Sequence, residues 1–247
     1  MEKMDLFHAD EVLTLAGIDA LNMQLFSHFF QKVYKEVLPE SNLERVQILE
    51  NMNLVRDDRL NLAGLLLFGK KPQIYKPEFT VKAVYFSGIK TTDSHISNEE
   101  FEGSLFEIFQ SSRFFIMRHL KKVQGKKGVN TTGDPEIPES VFKELLVNAL
   151  IHRDYFITAP IRLFVFEDRI EIISPGCLPN QLTVEKIVAG NSVQRNPILA
   201  SFAAKGLLPY RGLGTGVRRA LQDWSKIEFI DNRDECTFTS IMFRDRV

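Results

Sequence analysis

The chain has 247 residues, 44% of them hydrophobic, and a formal net charge of −1, which suits one large domain or two small ones. Such a balanced charge provides no overall basic field to attract nucleic acid or a membrane surface. Because no apolar run reaches the ~18 residues of a membrane helix and the first residues lack a signal-peptide pattern, we expect a cytoplasmic protein without a membrane partner.

The first half of the chain is predicted to be mainly helical. Helical spacing of apolar residues predicts a helix from Asp19 to Val37, ended by Pro39. Ser41 and Glu44 form a capping-box pattern for a second helix. The elements predicted next are a hairpin at 53–60, a short apolar helix at 61–68 capped by Asn61, a strand at 79–86 and an amphipathic helix at 101–122.

A polar stretch rich in glycine and proline, 125–138, is the best candidate for a domain boundary. It predicts an N-terminal helical and α/β connector region at 1–128 and a second domain at 135–247. The second region has the order helix, two strands, long insert, helix, two strands, which is typical of an α+β sandwich with helices on one sheet face. Cys177 and Cys236 lie far apart without CxxC spacing, so we expect free thiols.

The helix predicted at 141–155 is apolar almost all the way round but carries one polar stripe. Glu144, Asn148 and His152 fall within about 80° of each other at 100° per residue. A carboxylate and an amide among apolar neighbours are costly to bury without partners. Either the fold supplies those partners or the stripe lines a pocket. The alternatives are that Glu144 is an exposed helix-start residue and that His152 is a packing histidine.

A glycine-rich turn, GLGTG at 212–216, opens a later helix. Bare backbone N–H groups at a helix N-terminus bind phosphate, and a carboxylate with an amide can bind metal and water. The stripe and the turn together therefore indicate a magnesium–nucleotide site. The alternative for the turn is a tight helix entry with no ligand.

Four motifs in this order resemble one bacterial and archaeal family, the transcriptional regulators labelled RecG-related or Schlafen AlbA-type. The motifs are ELLVNALIHRDY at 144–155, DRIEIISPGCLP at 168–179, RNPILA at 195–200 and GLGTGVRRAL at 212–221. NLAGLLLFGKKPQ at 61–73 matches the segment that follows an AlbA-like domain in this family. The C-terminal module is similar to the GHKL (Bergerat-type) ATPase α/β sandwich of gyrase B, histidine kinases and mismatch-repair ATPases.

The resemblance implies a role for several residues in binding ATP and Mg²⁺. Glu144 matches the catalytic carboxylate that orients the attacking water, and Asn148 matches the magnesium-binding asparagine. Ser174 and Gly176 lie where GHKL ATPases have the Asp-x-Gly that reads adenine, and this chain has no Asp there. The residues that match the phosphate-binding glycine box are Gly212, Gly214, Thr215 and Gly216.

The resemblance thus implies a transcriptional regulator with a GHKL-like ATP-binding module that hydrolyses ATP slowly, with DNA bound through elements partly outside this chain and a homodimer as a further expectation. The alternative is a degenerate, non-enzymatic scaffold for dimerisation or partner docking, because the Asp is missing. A helicase motor is not expected, since the chain has no G-x-x-x-x-G-K-[ST] motif.

Two further segments allow more than one interpretation. The basic run from Arg113 to Lys127 is either a solvated helix end or a DNA contact. The stretch from Cys177 to Arg211 is far longer than the usual connection of about 4–6 residues. It is either a lid that closes over nucleotide, with short helices at 184–188 and 197–205, or a fixed surface excursion.

Overall fold

A computed structural model of the chain describes residues 7–123 and 133–245. Its helices are α1 Met23–Tyr34, α2 Asn42–Asn51, α3 Leu62–Phe68, α4 Leu105–His119, α5 Glu139–His152, α6 Val184–Val188, α7 Pro197–Phe202 and α8 Gly216–Asp223. Its strands are β1 Leu13–Gly17, β2 Val55–Arg56, β3 Arg59–Asn61, β4 Val81–Phe86, β5 His95–Phe101, β6 Lys122–Val123, β7 Asp134–Pro135, β8 Ile161–Val165, β9 Arg169–Pro175, β10 Ile227–Asn232 and β11 Thr237–Phe243.

The N-terminal elements form a small sheet, in the order β1-β3-β2, around the apolar helix α3. Every residue of α3 is buried, and the Asn61 side chain caps it by accepting a bond from the Gly64 amide. Asp57 and Asp58 both have positive φ, as a tight β2–β3 hairpin requires. The predicted hairpin and the Asn61 cap are therefore confirmed.

A six-stranded mixed sheet forms the centre of the molecule, in the order β10-β11-β9-β8-β4-β5. All neighbouring strands are antiparallel except β4 and β8, which pair in parallel from Val81↔Ile161 to Tyr85↔Val165. Two strands that precede the polar stretch thus belong to the same sheet as four strands that follow it. The α+β fold class is confirmed. The division into domains 1–128 and 135–247 stays a prediction, and the β4–β8 strand pair joins the two parts.

Helix α5 lies against this sheet and between two other helices. It packs on β9, with α4 on one side and α8 on the other. Its apolar residues, among them Val141, Phe142 and Ile151, are almost fully buried. The order of elements after the polar stretch, α5-β8-β9-(α6-α7)-α8-β10-β11, is the predicted one.

A buried ion pair fastens the segment before α5 to the end of the sheet. Arg244 Nη2 donates to Glu136 Oε1 at 2.7 Å, and each side chain is 3% exposed. Arg244 also donates to the carbonyls of Phe166 and His119, while Glu136 accepts from the Lys121 amide. This network joins the end of α4, the start of α5, β8 and β11. Within 7–123 and 133–245, no helix is long and apolar enough to cross a membrane.

Candidate functional site

The polar stripe of α5 opens into a cleft whose opposite wall is the glycine turn. Glu144, Asn148 and His152 all line this cleft, as do Ser174, Gly176, Gly212, Gly214, Thr215 and Gly216. The structure thus brings every sequence-predicted site residue into one place. What binds there stays a prediction.

The Glu144 carboxylate lies directly at the first residue of α8. A Cβ atom on Gly216 would collide with Glu144 Oε1, so only glycine permits this approach. The other carboxylate oxygen, Oε2, accepts a bond from Arg219 Nη2 at 3.0 Å, one turn into α8. Glu144 is therefore not the exposed helix-start residue of the alternative interpretation, since its side chain is 12% exposed.

Asn148 completes this group of side chains. Its Nδ2 donates to Glu144 Oε1 at 3.2 Å, which leaves its carbonyl oxygen as the acceptor able to bind a cation or water. Burial raises the pKa of Glu144, an effect that the Arg219 charge, the Asn148 hydrogen bond and the Arg211 charge only partly oppose. A carboxylate with a raised pKa is a better proton acceptor than an ordinary one.

The glycine turn is held against the long insert by backbone contact. Gly212 and Gly214 both have positive φ, at 67° and 69°, a conformation that glycine adopts without strain. A Cβ atom on Gly214 would lie 2.6 Å from the Gly190 carbonyl oxygen. The turn therefore requires these glycines for its own geometry as well as for any approach of a ligand.

The end of the cleft at Ser174 and Gly176 is where the family resemblance would place the adenine base. It is the part of the cleft that suits adenine least. Ser174 is buried, and its Oγ donates to the Ala149 carbonyl at 3.3 Å. Its hydroxyl hydrogen is thus used within the protein, while its lone pairs can still accept. Gly176 has φ +101°, and a Cβ atom there would lie 2.5 Å from both Asp154 Cβ and Arg195 Nη1. Among the described residues that line the cleft, Glu144 is the one with a carboxylate, and it lies at the α8 end.

His152 is a packing residue within the cleft wall. Its Nε2 lies 3.1 Å from the Tyr210 hydroxyl, which also accepts from Gln194 Nε2 at 3.2 Å. Burial, with the nearby Arg195 charge, lowers the pKa of His152 to about 4. The ring is therefore neutral at pH 7, which agrees with the packing alternative.

The insert between β9 and α8 is anchored in its second half. Phe202 of α7 contacts Phe29 and Phe68, and the buried Asp10 carboxylate accepts from the Ile198 and Leu199 amides at the start of α7.

The cleft between α5 and the glycine turn has a volume of about 120 Å³, well below the roughly 300–1,000 Å³ of most ligand pockets. A nucleotide would need the rim of the cleft to move, and the contacts of α7 oppose such movement in the second half of the insert. The lid stays a prediction for the part of the insert with α6.

Three contributors to this region were not predicted from the sequence: Arg219, Tyr210 and Asp10. Arg219 lies in the motif GLGTGVRRAL, and its position just after the glycines could have indicated that it belongs to the site. Tyr210 precedes the turn by two residues. Nothing local marks Asp10, which is 188 residues from the amide that it binds.

Part of the basic run is used within the protein. Arg113 pairs with Glu139 and Arg118 pairs with Glu99, which favours the structural interpretation for these two residues. Lys126 and Lys127 lie outside the described residues, so their share of the predicted DNA contact stays a prediction.

Comparison with known protein families gives matches to two segments. Residues 158–239 match a family described as "Putative ATP-dependent DNA helicase recG C-terminal", and residues 4–82 match a domain of unknown function (DUF8451). The first segment is thus similar to a RecG-related, ATPase-like C-terminal module. It contains Ser174 and the glycine turn but not Glu144 or Asn148. No curated protein matches the chain.

A similar fold occurs in the crystal structure of the DIP2311 protein from Corynebacterium diphtheriae. The TM-score is 0.71 at 21% sequence identity, and the match covers 98% of this chain and 47% of that protein. The chain therefore spans about half the length of this structural relative. At this identity the likeness concerns the fold.

Proposed function

We propose that the chain binds a nucleoside triphosphate in the cleft between α5 and the glycine turn, and that it hydrolyses this nucleotide slowly. The observation that carries the proposal is the approach of Glu144 to the N-terminus of α8 across Gly216. A carboxylate that can reach a glycine-lined helix end has the arrangement that phosphate chemistry needs. The similarity of 158–239 to an ATPase-like module supports it independently.

The phosphate end of the cleft fits the proposed ligand. The first amides of a helix have no carbonyl within that helix to bind, and they favour anions. Gly212, Gly214 and Gly216 have no side chains of their own to cover the turn, and the Glu144 carboxylate lies against Gly216. Arg219, already beside Glu144, would supply a positive charge to the same phosphate group.

Glu144 and a phosphate group are both anionic, so a cation is needed where they meet. A bound Mg²⁺ would neutralise phosphate charge at this point. Among the described residues no group of three or more His, Cys, Asp and Glu side chains could hold a metal by itself. Magnesium sites with one or two protein ligands and several phosphate or water ligands are common. Asn148, through its carbonyl oxygen, would be the protein ligand.

Glu144 would act on the attacking water. With its pKa raised by burial, one carboxylate oxygen would orient the water and accept its proton. Arg219 would keep the side chain in the cleft.

Ser174 favours a second candidate function. Its hydroxyl donates to the Ala149 carbonyl, and the one carboxylate among the described lining residues is Glu144 at the α8 end of the cleft. The same cleft therefore also suits a degenerate scaffold for dimerisation or partner docking. The two proposals differ in whether nucleotide binds at all.

Titration calorimetry tests the first proposal. Folded protein is titrated with ATP, ADP and a non-hydrolysable ATP analogue, each with and without Mg²⁺. We expect binding that strengthens with Mg²⁺. Absence of binding at millimolar nucleotide, by a sample whose circular dichroism shows it to be folded, would contradict the proposal.

Thermal melting separates the two functions at low cost. A ligand at 100 times its Kd adds about 2.7 kcal/mol, which for a chain of this size is a shift of about 5–10 °C. An unchanged melting temperature across all nucleotides would favour the scaffold.

The biological role that we infer from the family resemblance is regulation of transcription in the cytoplasm. DNA binding through elements partly outside this chain and assembly as a homodimer belong to the same inference. Sedimentation of the purified chain, with and without duplex DNA, tests both. A monomeric chain that does not bind duplex DNA would contradict both expectations for this chain.

A further inference from the structure

The two cysteines of the chain, 59 residues apart in sequence, meet at one edge of the cleft. Cys177 Sγ and Cys236 Sγ lie 3.2 Å apart. Cys177 lies two residues after the end of β9 and lines the cleft, while Cys236 is the last residue of the turn that joins β10 to β11. Both thiols are free in this structure, and their wide separation along the sequence does not keep them apart in the fold.

The backbone around the two thiols is fixed before any bond joins them. The β9–β11 register ends at Thr237↔Pro175, and the next residues continue it, since the Gly176 amide donates to the Cys236 carbonyl at 2.7 Å. The Cys177 carbonyl accepts from Arg195 Nη2 at 2.6 Å. Because these bonds hold both main chains, the sulfur atoms stay close without a covalent link.

Cys236 has an unusual backbone conformation. Its φ is +50°, in the left-handed region that residues other than glycine and asparagine seldom adopt. Glycine would be the easiest residue to place at this position. A cysteine there directs a thiol towards Cys177 at some conformational cost, and such outliers motivate functional hypotheses.

We propose that Cys177 and Cys236 form a reversible dithiol–disulfide site. Both residues are half-buried, so a small oxidant can reach them. With glutathione disulfide, one protein thiolate attacks a glutathione sulfur and releases one glutathione thiolate. The second protein thiol loses its proton and attacks the protein sulfur of the mixed disulfide, which releases the second glutathione. In total, two protein thiols and one glutathione disulfide give one protein disulfide and two glutathione thiols.

The disulfide would enclose the segment that carries the cleft rim. Residues 178–235 contain α6, α7, the glycine turn and α8, and the new bond would tether both ends of this segment. Bonds that close long loops stabilise a protein mainly by restricting its unfolded state. The hydrogen bond with Cys236, together with burial, raises the pKa of Cys177, so closure should be faster at alkaline pH, where more thiolate is present.

The test equilibrates the full chain in glutathione buffers of increasing disulfide content, followed by thiol alkylation and mass spectrometry. We expect the wild-type chain to lose both alkylatable thiols together, to lose two hydrogen atoms in mass, and to recover on reduction. Cys177→Ser and Cys236→Ser are the matched controls, and each should stop at a single glutathione adduct. The proposal would be overturned if wild-type chains kept both thiols, or collected adducts and intermolecular dimers without the internal bond.

Melting supplies a second, independent measurement. The oxidised wild-type protein should melt about 5–15 °C above the reduced protein, and neither serine variant should show this difference. The oxidised and reduced wild-type proteins could also melt at the same temperature although mass spectrometry shows the disulfide. That result would contradict the proposal that the bond tethers the segment 178–235.

Discussion

The ion pair Glu136–Arg244, before α5, and the ion pair Glu144–Arg219, within the cleft, differ in how completely their polar groups are hydrogen-bonded. Glu136 and Arg244 are each 3% exposed and are surrounded by further hydrogen bonds from Lys121 and to Phe166 and His119. Glu144 and Arg219 are 12% and 34% exposed, and Arg219 Nε is buried without a hydrogen-bond partner among the described residues. The Glu136–Arg244 pair is hydrogen-bonded to the elements around it and holds them together. In the Glu144–Arg219 pair, Arg219 Nε is still available as a donor.

This contrast distinguishes a pair that maintains the fold from a pair that can exchange partners. A buried pair with all its groups satisfied loses several kcal/mol when one member is removed, because the other charge is stranded. A pair that faces a cleft keeps access to water, so its members can separate at little cost. We therefore expect stability to depend on Glu136–Arg244 and function to depend on Glu144–Arg219.

The largest expected effect is on the structural pair. Arg244→Met should lower the free energy of unfolding by about 3–5 kcal/mol, because the Glu136 carboxylate would be left buried and unpaired. Urea unfolding measures this loss. The double variant Glu136→Leu/Arg244→Met is the control, and it should recover much of the stability. If Arg244→Met lowered the free energy of unfolding by less than about 1 kcal/mol, the Glu136–Arg244 pair would be no more important for stability than an exposed ion pair.

The next effect concerns turnover at the cleft pair. Glu144→Gln should keep nucleotide binding but reduce hydrolysis at least 100-fold, about 2.7 kcal/mol of barrier, because an amide cannot accept the proton of water. Single-turnover hydrolysis and calorimetry together measure this separation. Asn148→Ala should instead weaken Mg²⁺-dependent binding. Equal losses of both properties in both variants would indicate misfolding, which circular dichroism would detect.

A third, smaller effect is a pH dependence at the cleft side of α5. The folded-state pKa of His152 is lowered to about 4 from about 6.5 in the unfolded chain. The unfolded state therefore binds more protons between these values, and stability falls as pH falls through that window. From pH 7 to pH 5 this group should cost about 2 kcal/mol.

The raised pKa of Glu144 acts in the opposite direction, since its contribution favours the folded state as pH falls. Comparison of urea unfolding in wild-type protein and His152→Gln at both pH values isolates the histidine. His28→Gln, at an exposed position of α1, is the matched control. If His152→Gln kept the full pH dependence, the assignment to His152 would be wrong.

The smallest effect is the stability change at the cleft pair. Arg219→Met should alter the free energy of unfolding by less than about 1 kcal/mol, since Arg219 is itself 34% exposed and Glu144 keeps its hydrogen bond from Asn148. The same substitution at Arg244 provides the direct comparison by urea unfolding. Similar losses at both positions would show that the cleft pair is also structural.

The sequence was informative where local pattern decides structure. The apolar α3 with its Asn61 cap, the β2–β3 hairpin, the β8–β9 hairpin and the α5 stripe all follow from spacing and turn residues. The α+β class could be predicted for the same reason. The convergence of Glu144 with the glycine turn in one cleft was expected from the chemistry of the two motifs and from the family resemblance.

Local pattern failed where an element has no buried face or depends on distant partners. β5 is mostly exposed, so its sequence HISNEEF shows no hydropathy alternation, and the helix predicted from Phe101 begins only at Leu105. The capping box predicted at Ser41 makes no side-chain cap bond, while Ser104 and Glu107 form one that was missed. The Arg219 and Asp10 contacts span 75 and 188 residues, beyond the reach of any local signal.

The parallel pairing of β4 with β8 has a consequence for the order of events during synthesis. Residues 81–86 leave the ribosome about 75 residues before the strand they pair with, Ile161–Val165, and long-range parallel pairing forms slowly. Until then one side of β4 presents unpaired backbone groups that can recruit another nascent chain. A fragment that ends at residue 128 would keep this open side permanently. Aggregation of such a fragment would therefore reflect both the missing strand and the loss of α5, which packs on α4.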